Sequence, residues 1–117
     1  MASLRNVVQA LAARPDVDAV VVLSSDGLPI DSAGRSVLDA EAVAALAATF
    51  ASGAERLGRA ADCDRLTATV LEFGDRLAVV RTLGTEGHLF LLATPATNIG
   101  PLLFDLRRQA PDLATIL

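Results

Sequence analysis

Asp39-Ala40-Glu41-Ala42-Val43-Ala44-Ala45-Leu46-Ala47-Ala48-Thr49-Phe50-Ala51-Ser52-Gly53-Ala54-Glu55-Arg56-Leu57-Gly58-Arg59 is the one stretch of this chain long and periodic enough to form a helix spanning a small domain. Val43, Leu46, Ala47, Phe50, Ala54 and Leu57 recur at spacings of three and four, which sets them on one apolar stripe. That stripe is the expected core side. The opposite side carries Glu41, Ala45, Ala48, Ser52, Glu55, Arg56 and Arg59, small in its first half and charged in its second. Small residues let another backbone approach, so this side reads as a face offered to a partner. The alternative is that alanine, the best helix former, simply fills positions facing water.

At 117 residues the chain is expected to form one domain, residues 1–117, large enough for a sheet with helices packed on it. Hydrophobic residues make up 52%, yet no uninterrupted apolar run approaches the roughly 20 residues that cross a bilayer. No membrane association is expected. The opening stretch, residues 1–14, has no continuous apolar block followed by a small-residue cleavage site, so a cytoplasmic location is expected. The single cysteine, Cys63, permits no internal disulfide, and it lies between Asp62 and Asp64, carboxylates that disfavour a thiolate.

A net charge of −4 and the absence of Trp and Tyr argue against nucleic acid as a partner. All ten basic residues are arginine. Without lysine the chain has neither the lysine of a phosphate-binding loop nor a Schiff base, so it is not itself a P-loop nucleotide hydrolase.

Outward from the long helix, Leu4, Val7, Val8 and Leu11 form a first amphipathic helix, with Ser3 as cap and Arg14-Pro15 as stop. Residues 19–23 are a continuous apolar, β-branched run, the pattern of a strand covered on both faces. Asp26-Gly27 supplies a tight hairpin turn with two positive φ angles, and the return strand covers residues 28–33. Asp39 is placed to cap the long helix, and Gly58 to end it in the left-handed conformation. Residues 66–73 alternate in the manner of an edge strand; residues 77–83 and 88–93 follow it as a meander. Thr97 or Asn98 caps a last helix with Ile99, Leu102, Leu103 and Leu106 buried and Arg107, Arg108 and Gln109 in water. Pro111 interrupts this pattern, and whether residues 112–117 add a turn or fray is left open. The order α-β-β-α-β-β-β-α with tight turns predicts an α+β fold: a five-stranded antiparallel sheet, two helices on one face and the long helix on the other.

The chemistry is sparse. His88 is the only histidine and has no visible catalytic partners, so it reads as structural. Ser24-Ser25-Asp26-Gly27 lacks the preceding glycine and the following helix of a nucleophile elbow. Asp16, Asp18, Asp62 and Asp64 come in pairs without histidine or cysteine and read as solvated loop charges. No catalytic residue, cofactor or metal is expected. The chain is not expected to be an enzyme.

Ala19-Val20-Val21-Val22-Leu23-Ser24-Ser25-Asp26-Gly27-Leu28-Pro29-Ile30, the alanine-rich helix after it, and Leu91-Leu92-Ala93-Thr94-Pro95-Ala96-Thr97-Asn98-Ile99-Gly100 before a helix ending Leu106-Arg107-Arg108 together resemble the Roadblock family of dynein light-chain-like proteins, in its bacterial MglB-type form. The Asp-Gly-Leu-Pro-Ile turn followed by the long helix is the more specific part. The resemblance implies a homodimer with long helices side by side and third strands paired edge to edge. On that basis Ala44, Ala48, Ala51, Leu66, Thr67, Thr69 and Leu71 are assigned to the dimer interface.

The resemblance further implies a partner, a small Ras-like GTPase of cell polarity or motility. The dimer would dock it and reposition its switch regions, so that the GTPase's own residues hydrolyse GTP faster. Glu41, Ala45, Ala48, Ser52, Glu55, Arg56 and Arg59 are assigned to that docking, and Arg56 and Arg59 to docking rather than to an arginine finger. After Leu106, little of the C-terminal extension that longer relatives use for further contacts is expected. Two other readings stand beside it: an inert scaffold of the same fold, and a small-molecule sensor with an apolar cavity beneath the long helix, a space that Phe50 and Leu46 are expected to fill.

Overall fold

The computed structural model describes residues 3–117; residues 1 and 2, at the head of the opening stretch, lie outside the described residues. The elements are α1 (Leu4–Ala12), β1 (Val17–Ser24), β2 (Pro29–Gly34), α2 (Ala40–Ala60), β3 (Ala68–Glu72), β4 (Leu77–Leu83), β5 (Gly87–Ala93) and α3 (Ile99–Ile116). The five strands form one sheet in the order β2-β1-β5-β4-β3, every neighbouring pair antiparallel. This is the expected α+β architecture, with β1 interior and β3 at an edge.

Period-two alternation divides the strands between two layers. Val20 and Val22 of β1, Val79 and Leu83 of β4, and Leu89 and Leu91 of β5 pack with Val8 and Leu11 of α1 and with Leu102, Leu106 and Leu113 of α3. This is the thick side of the core. On the other face Leu23 and Val80 meet Ala44, Ala47 and Ala51 of α2, a thinner layer built on methyl groups. Arg14, after α1, donates to the Asp105 carboxylate of α3 at 2.8 Å and ties the two helices of the thick side. That bond is the main reason the Arg14 guanidinium holds its proton more tightly than usual.

Capping follows the sequence at two helices. The Ser3 hydroxyl accepts the Asn6 amide at 3.1 Å, and the Asp39 carboxylate accepts the Ala42 amide at 3.1 Å. At α3 Asn98 holds the N-cap position without a side-chain capping bond.

Three local expectations are corrected, and the course of the chain after Pro111 is decided. The α2 helix continues past Gly58 to Ala60 and closes there, the Gly58 carbonyl accepting from Ala61 and Cys63 around a left-handed residue that is Asp62, at φ 59°. The β1–β2 turn has one positive φ, at Gly27, and not two. It closes instead through Ser24, whose amide donates to the Leu28 carbonyl while its hydroxyl bonds the Asp26 carboxylate and accepts the Leu28 amide. Pro111 lies inside α3, which runs on to Ile116 because Ala110 and Leu113 are anchored in the core on either side of it. Gln109 is half-buried rather than in water. Among the described residues no helix is long and apolar enough to cross a membrane.

Candidate functional site

The buried stripe of α2 is rotated from the expectation, keeping Ala47 inside but turning Leu46, Phe50 and Leu57 outward. Ala44, Ala47 and Ala51 are buried against the sheet and Ala48 packs beside them. Leu46 is 69% exposed, Leu57 71% and Phe50 41%. Leu46, Phe50 and Leu57 are therefore not core residues of the chain, and Phe50 and Leu46 do not fill a space beneath the helix.

The reason is the hairpin tip. A Cβ on Gly27 would stand 3.3 Å from the Cα of Ala45 and 3.4 Å from the Cβ of Ala48, so the β1–β2 turn lies directly on the helix. Small side chains at Ala44 and Ala48 leave room for that approach. The small residues do admit another backbone, and it is the chain's own. Ala44 and Ala51, assigned to a dimer interface, are consumed inside the protomer. Ala48 is half-buried beneath Gly27 and is not an open docking position either.

What α2 leaves outward is an apolar flank. Val43, Leu46 and Phe50 form one wall of a groove whose other wall is Leu71, Val80 and Phe90 of the sheet, with a volume of about 430 Å³. The groove exists because α2 packs over β1, β2 and β5 and leaves the β3–β4 end of its face uncovered. It opens at the flank of α2, not beneath it.

Beside it lies β3, an edge strand paired only with β4. Thr69 and Leu71 share the register side of Val80 and Ala78, the α2 face, and both are half-buried. Val70, on the opposite face, and Phe73, just beyond the strand, are exposed. The other edge strand is guarded: Arg5 of α1 donates to Asp31 at 2.7 Å and to the Ser32 carbonyl of β2 at 2.9 Å. Among the described residues no side chain bonds the β3 backbone in this way.

The remaining assigned residues scatter. Glu41, Ala45, Ser52, Arg56 and Arg59 are exposed along α2. Glu55 is half-buried and its carboxylate accepts the Leu66 amide at 3.2 Å, which fastens the α2–β3 connector to the helix. Leu66 packs against the alanine cluster, and the carbonyl of exposed Thr67 accepts from Thr82 at 3.0 Å. Sequence reasoning missed Leu46, Phe50 and Leu57 as surface residues. A signal was present, since Ala44, Ala47, Ala48 and Ala51 also recur at three and four.

His88 stands on the α2 face of β5, opposite Thr82 and Leu23. Burial pushes its imidazole below the usual histidine range, partly offset by the Glu55 carboxylate. Among the described residues its buried Nδ1 has no hydrogen-bond partner. Among the described residues no group of three or more histidine, cysteine or carboxylate side chains is placed to hold a metal.

A family model described as Roadblock/LC7 domain matches residues 4–93. The fold is similar to a Roadblock/LC7 domain from Streptomyces avermitilis, at TM-score 0.86 and 26% identity, covering 97% of each chain. It is similar to MglB of Myxococcus xanthus at TM-score 0.78 and 18% identity, over 86% of this chain and 82% of that one. It is also similar to the gliding protein MglB from Thermus thermophilus, at TM-score 0.85 and 16% identity, over 96% of this chain and 86% of that one. The two MglB likenesses are likenesses of fold. Curated proteins give no match.

Proposed function

The chain belongs to the Roadblock/LC7 family, and from that premise we propose that it acts in the cytoplasm as a homodimer that docks and regulates a small Ras-like GTPase. The observation that carries the reading is the α2 flank. Leu46 and Phe50 are exposed on the wall of an apolar groove beside an unguarded edge strand, with Leu57 exposed further along α2, an arrangement that costs solubility unless a second surface covers it. A second copy related by a two-fold axis meets both needs at once: its Leu46 and Phe50 enter this groove, and its β3 pairs with this β3. An obligate interface of this kind buries on the order of 2,000 Å².

The dimer interface proposed here is thus Leu46, Phe50 and Leu57 with Leu71 and Thr69, in place of Ala44 and Ala51. The exposed polar run of α2, Glu41, Ser52, Arg56 and Arg59, together with the adjoining loops, is left to the GTPase. No group of this chain is asked to do chemistry. Its contribution is to hold the partner's switch regions where the partner's own residues orient water and meet charge on the transferring phosphoryl group.

Sedimentation tests the dimer and GTP turnover tests the regulation. Dimer at micromolar concentration and faster hydrolysis by the GTPase encoded nearby are the expected results. Monomer alone refutes the assembly; binding without acceleration replaces regulation with the scaffold reading.

A further inference from the structure

At the end of the sheet, where the lead into β3, the β4–β5 turn and α3 converge, lies a cleft of about 650 Å³ whose chemistry is unlike that of the apolar groove. Arg65, Arg81 and Arg107 line it, with the hydroxyl-bearing Thr67, Thr82 and Thr85. Arg81 comes from β4 and is half-buried, and its Nε is shielded from water without a hydrogen-bond partner among the described residues. The ion pairs among the described residues join Arg5, Arg14 and Arg76 to Asp31, Asp16, Asp105 and Asp75; none engages the three arginines of the cleft. The single carboxylate on its wall, Glu55, is bonded to the Leu66 amide.

Composition does not account for this. With 14 acidic residues against ten arginines, three arginines converging without a paired carboxylate is a local departure from the charge of the chain. A guanidinium does not escape the conflict by losing its proton, since it stays charged throughout the range in which proteins fold. Burial and the neighbouring Arg107 charge both act against the charged form of Arg81, and no acidic group counters them. A charge held that way is costly unless an anion meets it. Planar guanidinium forks bind oxyanions in pairs of parallel bonds, and the hydroxyls add neutral donors. Ala110 and Pro111 of α3 supply an apolar wall, and the volume lies in the range of small-ligand sites.

We propose that this cleft binds a phosphate-bearing ligand, its phosphate held between Arg81 and Arg107. The site is separate from the α2 groove, so it stands or falls independently of the GTPase reading.

Isothermal titration of the full chain with inorganic pyrophosphate, at low ionic strength, tests it. Saturable binding is expected, weakened at least about tenfold in Arg107→Gln and in Arg81→Gln and unchanged in Arg76→Gln, a paired arginine outside the cleft. Arg107 is exposed on α3, so its variant keeps the test valid should Arg81→Gln fail to fold. Flotation with phosphatidylcholine vesicles carrying a phosphatidylinositol phosphate separates the sources: Arg107-dependent flotation without a pyrophosphate response assigns the phosphate to a lipid, and a pyrophosphate response assigns it to a soluble molecule. No binding in either arm overturns the proposal, as does binding that Arg107→Gln leaves intact or that Arg76→Gln weakens equally.

Discussion

Gly27 and Ala45 meet backbone to backbone: the Cα of Ala45 stands 3.3 Å from where a Cβ on Gly27 would be. That approach seats the β1–β2 hairpin on α2 and turns the alanine stripe inward, which leaves Leu46, Phe50 and Leu57 outside. Gly27 also holds φ at +88°, a conformation that side chains disfavour. Gly27→Ala is therefore expected to cost about 1–3 kcal/mol, read as a lowered urea midpoint. An unchanged midpoint contradicts the close approach.

Phe50→Ser removes an apolar ring from the proposed dimer surface and leaves the protomer core untouched. The dimer dissociation constant should rise roughly tenfold to a hundredfold, while the isolated protomer loses little stability. A core Phe50 would instead cost about 3–5 kcal/mol on truncation. Sedimentation together with denaturation separates the two outcomes.

Acid should weaken the fold through His88. Its folded pKa lies below the unfolded value of about 6.5, so below that pH the unfolded chain binds a proton that the folded chain resists. Stability falls as pH drops through that value and levels off once the folded pKa is passed. His88→Gln removes this component, and its stability between about pH 7 and pH 5.5 should fall less steeply than that of the parent. Parallel curves would count against it.

Pro111 sits in the interior of α3, where it has no amide to offer the Arg107 carbonyl one turn back. Pro111→Ala should stabilise the protein by about 1–3 kcal/mol, seen as a higher melting temperature. Destabilisation would mean that the ring is needed where it stands, on the wall of the arginine cleft.

The fold was legible because its signals are local. β-branched runs, the Asp-Gly turn, the cap at Asp39 and the leucine period of α3 each act within a few residues, and together they allow one element order and one sheet. Charge and residue types likewise argue against nucleic-acid binding and P-loop chemistry as expectations. Pro111 marks the limit of local reading, since its penalty is offset by burial of Ala110 and Leu113, which the sequence does not display.

Which face of α2 points inward was not legible. The bulky stripe and the alanine stripe recur at the same helical period, and periodicity reports that two faces differ without saying which is covered. The hairpin shares in the decision, since a Cβ on Gly27 would stand within 3.3–3.6 Å of Ala44, Ala45 and Ala48 of the helix. The same holds for Arg65, Arg81 and Arg107, distant along the chain and brought around one cleft by the β3–β4 pairing and the course of α3. Sequence by itself determined the elements and their order, through short-range propensity and patterning; tertiary structure alone decided which surfaces remained outside, because that depends on how near two backbones can pass.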